Sequence, residues 1–448
     1  MRPRLLMVLL VGAACAPARS ENPELTAAKD VDPAPAVIRV ALTAKVARVQ
    51  FGSAPPTEAW TYNGTVPGPL IEARVGDRLT VDFRNELPEA TTIHWHGVRV
   101  PNAMDGVPLM MEPIQPGATF TYEFTLKDPG LFWFHPHMRA DIQVQRGLYG
   151  VLRVRGDDEP AADTERILVL DDLKLKDDGS ISEYLDDTSA MAGRQGNTLL
   201  VNGVVHPVFT FPAGGVARLR IVNTANARYF RLGAEGIQFV VTGTDGSRYA
   251  ASFQTSEVML VPGERVDVSF RVPASGDIEL MTLPYERGHD TGKVGPLPLA
   301  TLRAVKGNAA AALPEVSTTL ERLAPTGTPF RIVLREAREG DVVRFFVNDQ
   351  QWPAVDTWQA ARGVQSFEVV NESEMDHPFH LHGFFFQVMS RDGIDEDPVR
   401  LVWKDTINVP AKSRFTAAVR FDEPGVWLYH CHILEHAEAG MICSVTVP

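Results

Sequence analysis

Tyr62-Asn63-Gly64-Thr65-Val66-Pro67 is a turn phrase that the chain repeats twice in altered form. It returns as Val201-Asn202-Gly203 followed by Pro207, and again as Val347-Asn348-Asp349 followed by Pro353, so the three asparagines lie 139 and 146 residues apart. This period is far longer than the unit of a solenoid and predicts three copies of one domain.

The sequence around each phrase repeats as well. A strand that ends in Asn85, Asn223 or Asn371 follows each phrase after 21 to 23 residues. The flanking stretches alternate Val, Ile, Phe and Thr with polar residues, and no stretch keeps a long helical period. The chain is therefore predicted to be all-β, with each copy a sandwich or Greek-key barrel. Polar or low-complexity breaks at 156–160 and 307–329 predict domains at residues 36–155, 164–305 and 326–448.

Charge and the N-terminus limit where the protein works. Of the 448 residues, 43 are Lys or Arg and 56 are Asp or Glu, and the resulting net charge of −13 repels nucleic acid, which is not an expected partner. Residues 1–18 have the basic start and short apolar run of an export signal, and no later segment is a credible membrane span. Either Ala16-Pro17-Ala18 is a cleavage site or Cys15 carries a lipid anchor. We expect a periplasmic or extracellular protein.

Ten of the twelve histidines lie in four short motifs, and only His206 and His289 lie outside them. For those two, a satisfied core residue is the expected role. The four motifs are His94-Trp95-His96-Gly97, His135-Pro136-His137, His377-Pro378-Phe379-His380-Leu381-His382-Gly383 and His430-Cys431-His432, which continues to His436 and Met441.

The motifs occupy matching places in the first and third copies. His94 lies nine residues after Asn85, and His380 lies nine residues after Asn371. The second copy has Leu232 at that place. The middle domain is therefore expected to supply no metal ligands and only to space the outer two.

Strand geometry gives these motifs a chemistry. Residues i and i+2 of a strand face the same side, so each His-x-His pair aims two imidazoles at one point. Cys431, between two histidines, faces the opposite side, where it can join His377, His436 and Met441 as the His₂Cys and axial Met set of an electron-transfer copper. Imidazole also suits iron, zinc and nickel, but structural zinc takes four ligands, not twelve. Cys443 is expected to be a small core residue.

These motifs resemble those of multicopper oxidases, in particular three-domain bacterial laccases and cuprous oxidases, over essentially the whole mature chain. The resemblance implies three tandem cupredoxin-like Greek-key β-barrels and four copper ions: one type 1, one type 2 and two type 3. By position it implies type 1 ligands His377, Cys431, His436 and Met441; type 2 ligands His94 and His380; and type 3 ligands His96, His135 and His432 for one ion and His137, His382 and His430 for the other.

The resemblance also implies how the chain would work. A small-molecule or metal-ion reductant would give up single electrons near His436, the electrons would pass through Cys431, and dioxygen would be reduced to water. Asp105 matches an acidic residue that supplies protons near the type 2 copper. A second proton-relay acid of many bacterial members is Ala437 here, and Glu438 either replaces it or is a solvated surface carboxylate.

Substrate class and two other functions stay open at this point. The chain lacks a methionine-rich insert, which favours a laccase-type oxidase of phenols or aromatic amines. Met375, two residues before His377, matches a position used for Cu(I), so a cuprous oxidase or metallo-oxidase in copper tolerance is the alternative. A copper-free scaffold is disfavoured by the complete ligand set, and a two-domain nitrite reductase by the third copy.

Overall fold

A computed structural model of the chain describes residues 20–182, 187–340, 342–354 and 356–448. The predicted export segment 1–18, with Cys15, lies outside the described residues. In the part of the chain that is described, no helix is both long enough and apolar enough to cross a membrane. The described chain is built from thirty strands and a few short helices, so the all-β prediction is confirmed.

The first barrel consists of two four-stranded sheets, ordered β2-β1-β4-β6 and β3-β8-β7-β5. Strand β1 runs parallel to β4 and antiparallel to β2, as in a Greek key. Its strands are β1 Val37–Val49, β2 Thr57–Tyr62, β3 Ile71–Arg74, β4 Arg78–Glu86, β5 His94–His96, β6 Thr119–Thr125, β7 Gly130–His135 and β8 Gly150–Arg155.

The second barrel has a six-stranded sheet and a five-stranded sheet, ordered β10-β9-β12-β17-β14-β15 and β11-β19-β18-β13-β16. Strand β9 is parallel to β12, as β1 is to β4. Its strands are β9 Thr164–Leu173, β10 Thr198–Val201, β11 Val208–Pro212, β12 Val216–Asn223, β13 Phe230–Ala234, β14 Phe239–Thr244, β15 Ser247–Thr255, β16 Glu257–Leu260, β17 Arg265–Arg271, β18 Asp277–Leu283 and β19 Leu297–Val305.

The third barrel repeats the second, with sheets ordered β21-β20-β23-β28-β25-β26 and β22-β30-β29-β24-β27. Its strands are β20 Phe330–Glu339, β21 Val342–Val347, β22 Trp358–Gln359, β23 Gly363–Asn371, β24 His377–Leu381, β25 Phe386–Arg391, β26 Ile394–Asp395, β27 Thr406–Val409, β28 Arg414–Phe421, β29 Gly425–Cys431 and β30 Ile442–Val447. The α-helices among the described residues are α1 Ala140–Gln145, α2 Asp187–Ala192 and α3 Leu434–Glu438, and two 3₁₀ turns cover Asn102–Met104 and Pro398–Arg400.

The repeated turn asparagines make the same hydrogen bonds in every barrel. Each adopts a left-handed backbone conformation, with φ of 57° at Asn63, 54° at Asn202 and 52° at Asn348. Each side-chain oxygen accepts from a strand N–H, at 2.7, 2.8 and 2.7 Å respectively. Each side-chain amide donates to a carbonyl two residues earlier on that strand. Asparagine tolerates this conformation better than most residues, so the repeat marks a structural need.

Each barrel encloses its own apolar core, and further contacts join the barrels. The cluster between the first two barrels includes Phe51, Trp133 and Val222, and it extends to Leu434 of the third. The core of the third barrel likewise includes Tyr229 and Val261 of the second. This packing brings the histidine-bearing ends of the first and third barrels together.

Candidate metal centre

Strand pairing positions the histidines in the same way in the two outer barrels. In the first barrel β5 pairs with β7, which sets His94 opposite His135. In the third barrel β24 pairs with β29, which sets His380 opposite His430. Both pairs lie at the ends of adjacent strands, where the two barrels meet.

The rings of the two barrels stack on one another across this junction. The ring centroids of His94 and His382 are 3.8 Å apart, and those of His96 and His380 are also 3.8 Å apart. One further ring from each outer barrel, His137 and His430, stands edge-on to its neighbours. The structure therefore brings all eight predicted cluster histidines into one group, in which His137 is partly buried and the others are buried: His94, His96, His135, His137, His380, His382, His430 and His432.

Hydrogen bonds to one ring nitrogen leave the other nitrogen free to bind a metal. The Nδ1 of His94 donates to the carbonyl of Asp105 at 2.9 Å, and the Nδ1 of His380 donates to the carbonyl of Asp405 at 2.9 Å. The Nε2 of each ring is then the acceptor nitrogen, and both Nε2 atoms are buried without a hydrogen-bond partner. Metal-binding histidines have this arrangement because the second bond fixes tautomer and orientation.

Other ring nitrogens of the cluster lack partners as well. His96 Nδ1, His135 Nε2 and both ring nitrogens of His432 are buried and unpaired. Burying such an atom unpaired costs about 1–3 kcal/mol, so several of them in one place need an explanation. The donor set fits bound metal ions, because imidazole nitrogen suits copper and each unpaired nitrogen could be a ligand.

Three further nitrogens converge on one point. The Nε2 of His430 is 3.0 Å from that of His382 and 3.4 Å from that of His137. Burial, followed by His382 and His430, lowers the pKa of His137 well below its usual range. Burial also lowers the pKa of His430 to about 4. Near neutral pH these rings are uncharged, which is the state that binds a metal.

Asp105 lies within the cluster wall. Its Oδ2 accepts from His382 Nδ1 at 2.9 Å, while Oδ1 is buried, has no hydrogen-bond partner and lies 3.3 Å from His94 Nδ1. Gly106 makes this placement possible. Its φ is +78°, and an added Cβ would lie 1.8 Å from the carbonyl oxygen of Ile93. The carboxylate is therefore held against two histidines that belong to different barrels.

A second buried carboxylate, Asp405, lies beside the cluster, and the histidine motifs in the sequence did not indicate it. Its Oδ1 is 3.3 Å from His96 Nε2, which donates to the hydroxyl of Thr406 at 3.0 Å. Both carboxylate oxygens accept from the guanidinium of Arg265 at 2.6 Å, and the Nε of Arg265 donates to the carbonyl of Leu131. Arg265 therefore links all three barrels beside the cluster, which only the tertiary structure reveals.

The sulfur-containing site lies on the other face of β29, as the strand alternation predicted. Cys431 Sγ is 3.4 Å from His377 Nδ1 and 3.7 Å from His436 Nδ1, and the two nitrogens are 3.2 Å apart. All three residues and Met441 are fully buried. Two histidine nitrogens and a cysteine sulfur that lie this close together are a donor set that suits copper.

The environment of this site keeps its groups neutral and fixed. Burial lowers the pKa of His377 to about 3, and its Nε2 lies 2.8 Å from the hydroxyl of Ser373. Burial raises the pKa of the Cys431 thiol, and the backbone N–H of Ile433 donates to its sulfur. The ring of Phe345 stacks on His436 with centroids 4.0 Å apart. A thiol in this environment ionises only with a strong partner such as a metal ion.

The middle barrel does more than space the outer two, which corrects the expectation from sequence. The carbonyl of Met191 accepts from His436 Nε2 at 3.1 Å, so a segment of the middle barrel covers that histidine. Gly263, in the turn Val261-Pro262-Gly263 between β16 and β17, lies against the cluster, and an added Cβ there would be 2.9 Å from both His96 and His432. The middle barrel therefore forms part of the wall of both sites.

The remaining sequence expectations fall outside these two sites. His206 and His289 are not core residues: each lies partly exposed at a left-handed turn and pairs with a glutamate, Glu279 or Glu336. Both histidines lie in turns at the surface, and each side chain reaches a glutamate on a neighbouring strand instead of entering a core. Cys443 is buried, as expected.

Glu438, the candidate replacement for the relay acid at Ala437, faces the first barrel. Its carboxylate accepts from the backbone N–H of Ala140, at the start of α1, at 2.8 Å. The residue is exposed at the surface. Glu438 is therefore a surface carboxylate, as one alternative expected, and it also joins two barrels through this hydrogen bond.

Comparison with known proteins gives the family. Family models described as multicopper oxidase match residues 43–159, 165–278 and 331–448. The chain is 30% identical to multicopper oxidase MmcO of Mycobacterium tuberculosis over 96% of this chain and 92% of that protein. It is 26% identical to a laccase of Bacillus subtilis over 87% of this chain and 90% of that protein.

A solved structure agrees with this assignment across the whole fold. A multicopper oxidase from Campylobacter jejuni, described as a metallo-oxidase, superposes with a TM-score of 0.85 at 30% identity and covers 96% of each chain. The three barrels are therefore cupredoxin-like, and the histidine clusters are those of a copper protein. The chain belongs to the multicopper oxidase family and is an oxidoreductase that uses dioxygen as its electron acceptor.

Proposed function

We propose that the chain binds four copper ions and couples one-electron oxidation of a reductant beside His436 to reduction of dioxygen between the outer barrels. The observation that carries this proposal is the set of buried, unpaired imidazole nitrogens contributed by two barrels. When bound, the copper ions would take up electrons singly and deliver four of them to dioxygen. The protein supplies the two sites and the link between them.

Two of the proposed ligand sets, one for the type 1 ion and one for a type 3 ion, are groups whose ligand atoms lie within 4.8 Å of one another. His377, Cys431 and His436 would hold the type 1 ion, with Met441 as the axial ligand. The type 2 ligands would be His94 and His380. The two type 3 ions would be held by His96, His135 and His432 and by His137, His382 and His430.

The backbone offers a covalent route for electrons from the sulfur-containing site to the histidine cluster. Cys431 is bonded through the chain to His430 and His432, whose rings lie on the opposite side of β29. The two sites are therefore joined by a few covalent bonds, without a gap through space. Asp105, with one buried carboxylate oxygen free, is proposed to hold a proton for dioxygen reduction.

We propose laccase-type oxidation of phenols or aromatic amines as the substrate class. The side chain of Met375 is fully buried, and Asp376 is engaged by Tyr285 and Asn408 at 2.7 and 2.8 Å. Neither residue offers a free ligand to Cu(I) in this conformation, and the chain has no methionine-rich insert.

A metal-ion oxidase is the second candidate, because one observation favours it. The carbonyl of Met191 covers His436 Nε2, so a phenol must displace the segment around α2 to touch that ring. A small ion such as Cu(I) or Fe(II) needs less displacement. A small ion could also donate its electron without touching the His436 ring.

The test is oxygen consumption by copper-loaded protein with a phenol, an aromatic amine, Fe(II) and Cu(I) compared side by side. The proposed function requires a strong blue thiolate absorption and oxygen uptake with at least one of these reductants. Faster turnover with the organic reductants supports the laccase class. A large advantage for Cu(I) that Met375→Leu removes supports the metal-ion class instead. Purified protein that contains copper but shows neither the absorption nor oxygen uptake would refute the proposal.

A further inference from the structure

Arg287 is a buried cation beside the proposed type 1 site. It lies in the loop between β18 and β19 of the middle barrel and is 1% exposed. Its backbone carbonyl accepts from the N–H of Asp376, the residue before His377, at 2.7 Å. Its guanidinium lies 5.4 Å from the ring centroid of Tyr229 and donates to the carbonyl of Ala192.

No carboxylate among the described residues forms an ion pair with this guanidinium. Its Nε and Nη1 are buried and have no hydrogen-bond partner. Arg265 is equally buried, but its charge is paired in the usual way, because both of its terminal nitrogens bind Asp405 at 2.6 Å. A buried charge without a partner is costly and is rarely kept without a function.

The field of this cation reaches the candidate type 1 ligands. Its guanidinium packs on the ring of Tyr229, which belongs to the same buried core cluster as Cys431 and Met441. Its backbone carbonyl binds the N–H of the residue before His377, and the next residue, Gly288, lies against Met375. Because the site is dry, solvent screens this interaction weakly.

We propose that Arg287 raises the reduction potential of the type 1 copper by holding a buried positive charge, without an ion-pair partner, beside it. A metal ion that gains an electron loses one unit of positive charge, so a fixed cation nearby favours the reduced form. The axial ligand and hydrogen bonds to the sulfur tune such sites from within, whereas Arg287 acts from the neighbouring barrel. The inference rests on the type 1 assignment proposed above.

The position of Arg287 also connects substrate access to this charge. Arg287 and His436 bind the carbonyls of adjacent residues, Ala192 and Met191, at the end of α2. The segment that covers His436 is therefore fastened by the same cation. Movement of the cover would change the surroundings of the charge at the moment when a reductant enters.

The test measures the potential of the copper-loaded protein by titrating its blue absorption against hexacyanoferrate. Arg287→Gln and Arg287→Met remove the charge, and Met keeps the apolar stem if Gln prevents folding. The equilibrium constant for reduction is expected to fall about tenfold or more in both variants, and by less than about threefold in Arg287→Lys, which keeps the charge.

Lys293→Gln is the matched control on the same loop. Lys293 is exposed and pairs with Asp290 at 2.8 Å, so its removal changes the net charge equally but in solvent, and the potential should not move. The proposal is overturned if the charge-removing variants keep the wild-type potential, or if Arg287→Lys shifts it as far as Arg287→Gln. A wild-type protein with no blue absorption would instead refute the type 1 assignment itself.

Discussion

The middle and third barrels have the same architecture, but only the third carries candidate ligands. Asn223 and Asn371, at matching strand ends, both donate to backbone carbonyls at corresponding turns, Asn223 to Leu260 and Asn371 to Val409. At the position of His380, however, the middle barrel has Leu232, which is buried in an apolar core. The barrel therefore needs no metal at this position to fold, so changes to ligands in the third barrel should test function more than folding.

The middle barrel has instead become a wall for its neighbours. The turn that is Val409-Pro410-Ala411 in the third barrel is Val261-Pro262-Gly263 in the middle one, and Gly263 lies against two cluster histidines. Its β18–β19 loop and α2 lie over the sulfur site. The comparison teaches that one scaffold can supply ligands or enclose them, depending on a few positions.

The largest expected effect comes from removing the proposed thiolate ligand of the third barrel, Cys431. Cys431→Ser should abolish the blue absorption and oxidation of every reductant, because serine is a poor ligand for this copper. The cluster between the barrels should keep its copper, because the substitution leaves the backbone that positions His430 and His432 unchanged. Absorption spectroscopy and metal analysis check both results. A variant that still oxidises a phenol at the wild-type rate would contradict the electron route.

Asp105→Asn tests the proton donor that we propose in the first barrel. Turnover with oxygen should fall roughly 10²- to 10⁴-fold, the range for loss of a general acid. Reduction of the blue centre under anaerobic conditions should keep its wild-type rate, because Asp105 is hydrogen-bonded to His382 and not to a type 1 ligand. Stopped-flow measurement of each half-reaction separates the two. An equal loss in both would show that Asp105 is structural.

Gly263→Ala tests whether the middle barrel forms part of the wall of the histidine cluster, and Gly117→Ala is its matched control. Gly117 ends the turn Gln115-Pro116-Gly117 of the first barrel, which corresponds in sequence to Val261-Pro262-Gly263. The φ values are +86° at Gly263 and +81° at Gly117, so backbone strain is shared. Only at Gly263 would the new Cβ meet other atoms, at 2.9 Å from His96 and His432, whereas Gly117 faces open space. Overpacking should cost about 1–3 kcal/mol more at Gly263 and reduce copper in the cluster but not the blue absorption. Equal stability and copper content in the two variants would contradict a role for the middle barrel as a wall.

The metal-free protein should lose stability as the pH falls below about 6.5, the ordinary histidine value. Burial lowers the pKa of His377 to about 3 and of His430 to about 4, so between those values and about 6.5 only the unfolded chain takes up these protons. Stability is therefore present above that window and is lost as pH decreases, by roughly 1.4 kcal/mol per pH unit for each such histidine. Denaturant unfolding at several pH values checks this. His430→Leu, which puts an apolar residue at a ligand position as the middle barrel does, should flatten the slope.

Sequence patterns predicted the barrels and the two sites because the signals were local. The i, i+2 spacing of His94 and His96 fixed their common face, and the alternation at Cys431 placed the sulfur behind them. Asp405, Arg287 and the carbonyl of Met191 could not be found in this way. Each acts on a site through tertiary contact between barrels, and no spacing along the chain encodes which loop of the middle barrel lies over which histidine.

The smallest effect is expected for His206, a histidine outside the four motifs. Its substitution tests whether copper binding depends on the positions of the motif histidines and not on the number of histidines in the chain. His206 lies in the middle barrel and its Nε2 is 2.6 Å from the carboxylate of Glu279, which is 42% exposed. Because such pairs are screened by solvent, His206→Gln should change stability by less than about 1 kcal/mol and leave copper content and oxygen uptake unchanged. Metal analysis and thermal unfolding of the variant check this. A lost copper ion would mean that the middle barrel holds metal after all, and the contrast between the barrels would then fail at its starting point.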